Sequence, residues 1–146
     1  MKIDLGGGKF PRCDEDGTPW TTVDRYKGNI KCDLEKGLSK IGTNKVDVIN
    51  ASHILEHIKN LSLLMNECWR VLKPDGYIEI CVPRFPHTDS VVDPTHVRFF
   101  VSGTFQYFNY QGIFWEWYGF KPWHLLEMGE SENEVYCKME PYGKEV

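Results

Sequence analysis

No apolar run in this chain approaches the ~20 residues a helix needs to cross a bilayer. No signal-type hydrophobic segment follows the opening Met-Lys-Ile-Asp, so the expected location is the cytoplasm. No lysine–arginine block stands out and the formal net charge is −4. A large nucleic-acid footprint needs concentrated positive charge, so none is expected, although a narrow contact stays open. Cys-x-x-Cys is also missing. The five cysteines, Cys13, Cys32, Cys68, Cys81 and Cys137, are odd in number and irregularly spaced. They read as reduced thiols rather than a disulfide frame. Cys68 and Cys81 fall on apolar faces and read as core, while Cys13 is the thiol to test for reactivity. Repeats and low-complexity segments are absent.

What is present is a chain of 146 residues, 41% apolar and 14% aromatic. That suits one domain, 1–146, with a core of its own. Lys2-Ile3-Asp4-Leu5 reads as a short buried strand running into Gly6-Gly7-Gly8. Three bare residues let the backbone bend sharply and let a ligand approach the main chain. In an open α/β sheet such a turn lies at the carboxyl end of the first strand, where ligands bind. Twenty residues after Asp4, Asp24 closes a second strand-like run, Thr21 to Asp24, after a Trp20 that fits the same pattern. A carboxylate there is placed to accept hydrogen bonds from a ribose diol; the plain alternative is a turn aspartate. Together the two features favour an adenosine-containing ligand. Pro11 stands where a third dinucleotide-motif glycine would be, which weakens a nicotinamide or flavin reading.

Further along, Lys9 to Pro19 reads as loop. Asn29 to Leu34 is a strand candidate, with Asp33 either bonding an adenine amino group, with Leu34 on the ring, or capping a helix. Val46 to Ala51 reads as a central parallel strand ending in Ser52-His53-Ile54-Leu55-Glu56-His57. Apolar spacing predicts a helix from about Leu55 to Leu72, stopped by a Lys73-Pro74-Asp75-Gly76 turn. Tyr77 to Pro83 is the fifth strand, and Arg84 to Arg98 a long loop overhanging its carboxyl end. A short helix from Ser102 to about Tyr110 follows. Ile113 to Tyr118 and Glu134 to Met139 read as paired strands across a loop containing Pro122 and Gly129. The aromatics from Phe105 to Tyr118 read mostly as core and hairpin packing, a minority lining an acceptor pocket or a dimer face.

These residues resemble the class I S-adenosylmethionine-dependent methyltransferases, of the small type-11-like group, over nearly the whole chain. Asp4-Leu5-Gly6-Gly7-Gly8 is similar to the family's first motif. Asp24 matches the acid on the ribose, and Asp33 and Leu34 the adenine edge. Ser52 and His53 open the segment after strand four. Arg70 to Tyr77 is similar to the turn before strand five, with Asp75 in place of a glycine, and Asp93 to Phe100 also recurs in this group. The resemblance implies a three-layer Rossmann-like α/β sheet, mostly parallel, with a C-terminal antiparallel hairpin and truncated at the N-terminus. It implies S-adenosylmethionine held by Asp4, Gly6, Gly7, Gly8, Asp24, Asp33, Leu34, Ser52 and His53. It also implies a small-molecule methyl acceptor, hydroxylated or sugar-like. A homodimer in which a second subunit supplies the lid fits the truncation.

Methyl transfer from a sulfonium is an in-line displacement, so alignment and water exclusion dominate. A general base is needed only where the acceptor loses a proton. The candidates are His57, His96 and Asp93, each with a plain structural alternative; Arg84 and Arg98 bind an anionic acceptor or pin the loop. Two rival readings remain. One is a non-catalytic binding module on the same fold. The other is a zinc peptidase through His53-x-x-Glu56-His57, which needs both histidines on one helical face and a third ligand from a later helix. No resident metal is expected.

Overall fold

The computed structural model describes residues 1–145. Apolar and polar side chains alternate along its strands, and that alternation sets the two faces of the sheet. In the strand Leu72–Pro83, Ile78, Ile80 and Val82 are buried, while Glu79 and Cys81 between them stay partly open. Seven strands assemble this way: β1 (Lys2–Leu5), β2 (Thr21–Asp24), β3 (Ile30–Lys31), β4 (Val46–Ser52), β5 (Leu72–Pro83), β6 (Trp123–Glu130) and β7 (Glu134–Pro141). Their order is β3-β2-β1-β4-β5-β7-β6. The first five pair in parallel; β7 runs antiparallel to β5 and β6. The chain is therefore an α/β protein with a Rossmann-like sheet and a C-terminal antiparallel hairpin.

One face carries the core. Ile3, Leu5, Ile49, Ile80 and Met139 meet Leu64, Met65 and Cys68 of helix α1 (Leu61–Val71) and Phe105 of the 3₁₀ segment Ser102–Phe108. The opposite face is polar. It is covered in part by the loop after β1, where the Arg12 guanidinium lies over Trp20 at 4.8 Å and pairs with Glu79. The third layer is thus reduced to a loop.

Several expectations need correction. The helix foreseen from Leu55 to Leu72 is split into a 3₁₀ turn, Leu55–His57, and α1. The break is held from outside: Glu35 accepts from the Lys59 and Asn60 amides at 2.7 and 3.0 Å, and Arg98 donates to the Ile58 and Lys59 carbonyls at 3.1 and 2.8 Å. Those partners satisfy the terminal groups a continuous helix would bond internally. Lys73 to Gly76 is not a free turn but a bulge inside β5, between the pairs Val46–Leu72 and Val48–Tyr77.

The strand foreseen at Ile113 to Tyr118 is a single helical turn, α3 (Phe114–Trp117), ended by Gly119 at φ 72°. The sixth strand is the segment read as loop; its outer residues are exposed because it lies at the sheet edge. The aromatics divide accordingly. Phe105 and Phe108 are core, whereas Tyr107, Phe114, Trp117 and Tyr118 are exposed and pack on one another. Cys68 is core, but Cys81 is only half-buried and borders the site.

Candidate functional site

The carboxyl ends of β1, β4 and β5 converge on two adjoining clefts. The first, about 560 Å³, is lined by Asp4, Gly6, Gly7, Arg12, Asn50 and Ser52 among others. The second, about 390 Å³, is lined by His53, Glu56, His57, Asp93 and His96 among others. Ser52 and His53, consecutive residues, separate the two. At that point His53 adopts φ 52°, its amide donates to the Cys81 carbonyl at 2.8 Å, and the Cys81 thiol lies 3.8 Å from its ring.

In the first cleft the glycines have different reasons. A Cβ on Gly7 would lie 2.4 Å from Asp4 Oδ2, and one on Gly6 would lie 2.8 Å from Ile54 Cδ1. Both are demanded by the protein's own side chains. Gly8, at φ 54°, has only the Gly6 carbonyl within reach of a Cβ, at 3.8 Å, so its surroundings are open. Asp4 is 4% exposed and spent internally. It accepts from the Arg12 amide at 2.9 Å and from the Asn50 side-chain amide at 2.7 Å. It therefore shapes the turn rather than offering a free oxygen.

Asp24 ends the neighbouring strand. The Gly6 amide donates to the carbonyl of Val23, just before it, at 2.9 Å. Asp24 Oδ1 accepts from the Tyr26 and Lys27 amides at 2.7 and 2.9 Å, and Oδ2 makes no hydrogen bond among the described residues. So the turn-aspartate geometry holds for one oxygen, and the other is free. Asp33 caps the 3₁₀ turn Leu34–Lys36 through Oδ1 to the Glu35 amide, and Leu34 is buried in the core. Asp33 Oδ2 lies 4.0 Å from the Arg25 guanidinium. Ser52 is exposed at the shared wall.

The second cleft gathers more titratable groups than the sequence indicates. Glu56 is 2% exposed, and its Oε1 lies 3.6 Å from His53 Nδ1 and 4.0 Å from both His57 Nε2 and His96 Nε2. The His57 and His96 rings stand edge to face, with centroids 4.7 Å apart. The loop Arg84–Arg98 brings His96 here. The Val97 amide donates to the Glu56 carbonyl at 2.8 Å, and Arg98 grips the backbone after the 3₁₀ turn. Asp93 accepts from the Thr95 hydroxyl and amide, which hold its carboxyl below the usual carboxylate range; its Oδ2 is 3.8 Å from His96 Nε2. His57, His96 and Asp93 are therefore neighbours. His53, expected beside the cofactor, bonds Glu134 of β7 at 2.7 Å.

Sequence reading missed Glu56 as the centre of this group. Its only signal was the His-x-x-Glu-His spacing, read as a peptidase pattern. The peptidase geometry does not form, because the segment is a 3₁₀ turn with Ser52 still in the strand. Cys81 is also unsuited to attack, since burial and the nearby Glu134 push its thiol up to about 12. Arg98 pins the loop rather than facing the cleft. Arg84 reaches Glu130 at 3.4 Å on the hairpin.

Residues 18–80 match the family model described as a methyltransferase domain. No curated protein matches the chain. Among solved structures it is similar to an S-adenosylmethionine-dependent methyltransferase from Archaeoglobus fulgidus, at 17% identity and TM-score 0.60, covering 95% of this chain and 85% of that one. It is similar to 1,6-didemethyltoxoflavin-N1-methyltransferase from Burkholderia thailandensis, solved with 1,6-didemethyltoxoflavin and S-adenosylhomocysteine, at 13% identity and TM-score 0.64, covering 96% and 70%. It is similar also to the [4+2]-cyclase SpnF, at 10% identity and TM-score 0.60, covering 96% and 74%. At these identities the likeness speaks for the fold.

Proposed function

We propose that this chain is a class I S-adenosylmethionine-dependent methyltransferase of the type-11 group that transfers a methyl group to a small hydroxylated acceptor; the methyltransferase-domain match over residues 18–80 and the likeness in fold support the reading. S-adenosylmethionine is the cofactor. The observation that carries the proposal is the pairing of clefts. A cleft at the glycine turn, beside the strand that Asp24 ends with one free oxygen, adjoins, across Ser52 and His53, a chamber lined with imidazoles and carboxylates.

The residues present fit the cofactor. The open surroundings of Gly8 leave main chain accessible, Asp24 Oδ2 suits a ribose diol, and the first cleft is of nucleoside size. When bound, the cofactor supplies an already activated methyl group. Ser52 and His53, on the shared wall, position the acceptor in line with it. His57, His96 and Asp93 form the set that takes the acceptor's hydroxyl proton. The five unpaired thiols support a reducing compartment such as the cytoplasm.

Calorimetric titration of the full chain with S-adenosylmethionine, and separately with a nicotinamide dinucleotide, tests the reading. The sulfonium ligand binds and the dinucleotide does not. Asp24→Asn keeps the turn-forming oxygen but removes the charge, and weakens cofactor binding by about 1–3 kcal/mol. Equal binding of both ligands, or an unchanged affinity in Asp24→Asn, would remove the proposal. Cofactor binding without turnover on a broad panel of hydroxylated small molecules would favour the binding-module reading.

A further inference from the structure

The second cleft has an arrangement that proton transfer alone does not explain. His96 Nδ1 lies 2.9 Å from the Ser90 carbonyl, which can only accept, so Nδ1 carries the hydrogen and Nε2 the lone pair. Thr95 donates its hydroxyl hydrogen to Asp93 at 2.7 Å. Its contact with His57 Nδ1 at 2.9 Å is therefore donated by the ring, which again leaves the lone pair on Nε2. Both Nε2 atoms point toward Glu56 Oε1, each 4.0 Å from it. With the rings neutral, two lone pairs and a carboxylate thus face one another, and the third ring near Oε1, His53 with Nδ1 at 3.6 Å, has its hydrogen on Nε2 toward Glu134. Glu56 Oε2 is buried without a hydrogen-bond partner, and the residue is 2% exposed. An isolated buried carboxylate is costly unless a cation offsets it.

We propose that Glu56, His57 and His96 bind a divalent first-row transition-metal ion. Their donor atoms all lie within 4.8 Å of one another. A tetrahedral ion at roughly 2.0–2.1 Å from each donor would place those donors roughly 3.3 Å apart, so the group closes by roughly half an ångström per donor. The outer contacts are those a metal-bound imidazole needs. Each ring donates its distal N–H to an oxygen, which fixes tautomer and orientation. Two imidazoles and one carboxylate suit zinc or iron(II) rather than magnesium or calcium. The ion clips the loop Arg84–Arg98 to the turn after β4 and leaves a coordination position toward the cleft. An acceptor hydroxyl placed there is acidified by the ion. In the loaded protein the histidine lone pairs are ligands, so the proton passes to Asp93, whose Oδ2 Thr95 leaves free. That last role rests on the methyl-transfer reading; metal binding does not.

The test is calorimetric titration of chelator-treated full chain with zinc chloride alone, without cofactor, joined to visible absorption with cobalt(II). Expected are one zinc per chain and the d–d bands of a four-coordinate cobalt site. Thr95→Val, at an exposed position that supports His57, weakens zinc binding by about 10–100-fold. Glu56→Gln weakens it further, and circular dichroism reports whether that variant is folded. Cys81→Ser leaves zinc affinity unchanged, which separates this site from the neighbouring His53, Cys81 and Glu134. No stoichiometric zinc in the wild type would overturn the proposal. So would undiminished binding in Thr95→Val and Glu56→Gln, or binding lost in Cys81→Ser. Zinc binding by a protein that fails to bind S-adenosylmethionine would retain this inference while removing the methyl-transfer reading.

Discussion

At the glycine turn after β1 the protein withdraws its side chains, whereas in the segment after β4 it crowds them together. In the first cleft Asp4 is already bonded to the Arg12 amide and to Asn50, and on the neighbouring strand Asp24 Oδ1 is bonded to the next turn. What remains for a ligand is main chain and one carboxylate oxygen. In the second cleft Glu56, His57 and His96 approach without bonding one another directly. The first site is prepared by satisfaction and the second by its lack. A ligand enters the first because nothing stands in the way. The second calls for a cation or a proton.

The largest effect expected from breaking this contrast is in Gly7→Ala. The new methyl would lie 2.4 Å from Asp4 Oδ2, inside the hydrogen-bond knot that shapes the turn. Either the carboxylate moves and releases Arg12 and Asn50, or the backbone does. Stability falls by about 1–3 kcal/mol, as for other overpacked positions. S-adenosylmethionine binding falls below detection in the same calorimetric titration. Zinc affinity is unchanged, because the histidine cleft takes no support from Gly7. Loss of both ligands together would mean that the clefts are one site.

The difference between the clefts also explains what could be read in advance. Asp4-Leu5-Gly6-Gly7-Gly8 is a local signal, because a strand, an acid and a sharp turn are fixed by neighbours in the chain. The parallel strands up to Pro83 were visible for the same reason. Glu56 acquires its role only when a loop 40 residues later returns His96 to it, as the Glu56–His96 contact shows. No local pattern carries that. The broken helix is similar, since Glu35 and Arg98 hold the gap from distant positions. Ile113 to Tyr118 misled in the opposite way. β-branched and aromatic residues favour pleated surfaces, yet here they form one exposed helical turn ahead of a sheet edge. The true edge strand carries Glu127, Gly129 and Glu130, which read as loop because that edge is solvated.

A middle-sized effect belongs to Glu134, which ties His53 to the hairpin. The Tyr136 hydroxyl first, and the His53 ring next, hold its carboxyl below the ordinary value of 4.5. A depressed carboxylate contributes stability above its unfolded value and loses it as the pH falls through its folded value. Glu134→Gln therefore costs about 0.5–1 kcal/mol at neutral pH, the side chain being partly exposed. Denaturation midpoints of the variant and the wild type converge as the pH falls well below 4.5. A difference that persists in acid would place the stabilisation in packing rather than in charge.

The smallest effect is expected where the two designs meet, at Arg12. Its guanidinium pairs with Glu79, reaches Asn50 Oδ1 at 3.2 Å and covers Trp20, and so looks like the anchor of the loop after β1. Yet the Arg12 side chain is 43% exposed and Glu79 30%, and an ion pair so placed is screened by water and salt. The buried tie is the Arg12 backbone amide to Asp4, which substitution leaves in place. Arg12→Ala should therefore lower stability by no more than about 0.5 kcal/mol at low salt, and by less as salt is raised. Urea midpoints at two ionic strengths measure this. A salt-independent loss several times larger would show that the side chain holds the loop. The glycine cleft would then depend on crowded side chains as much as its neighbour does.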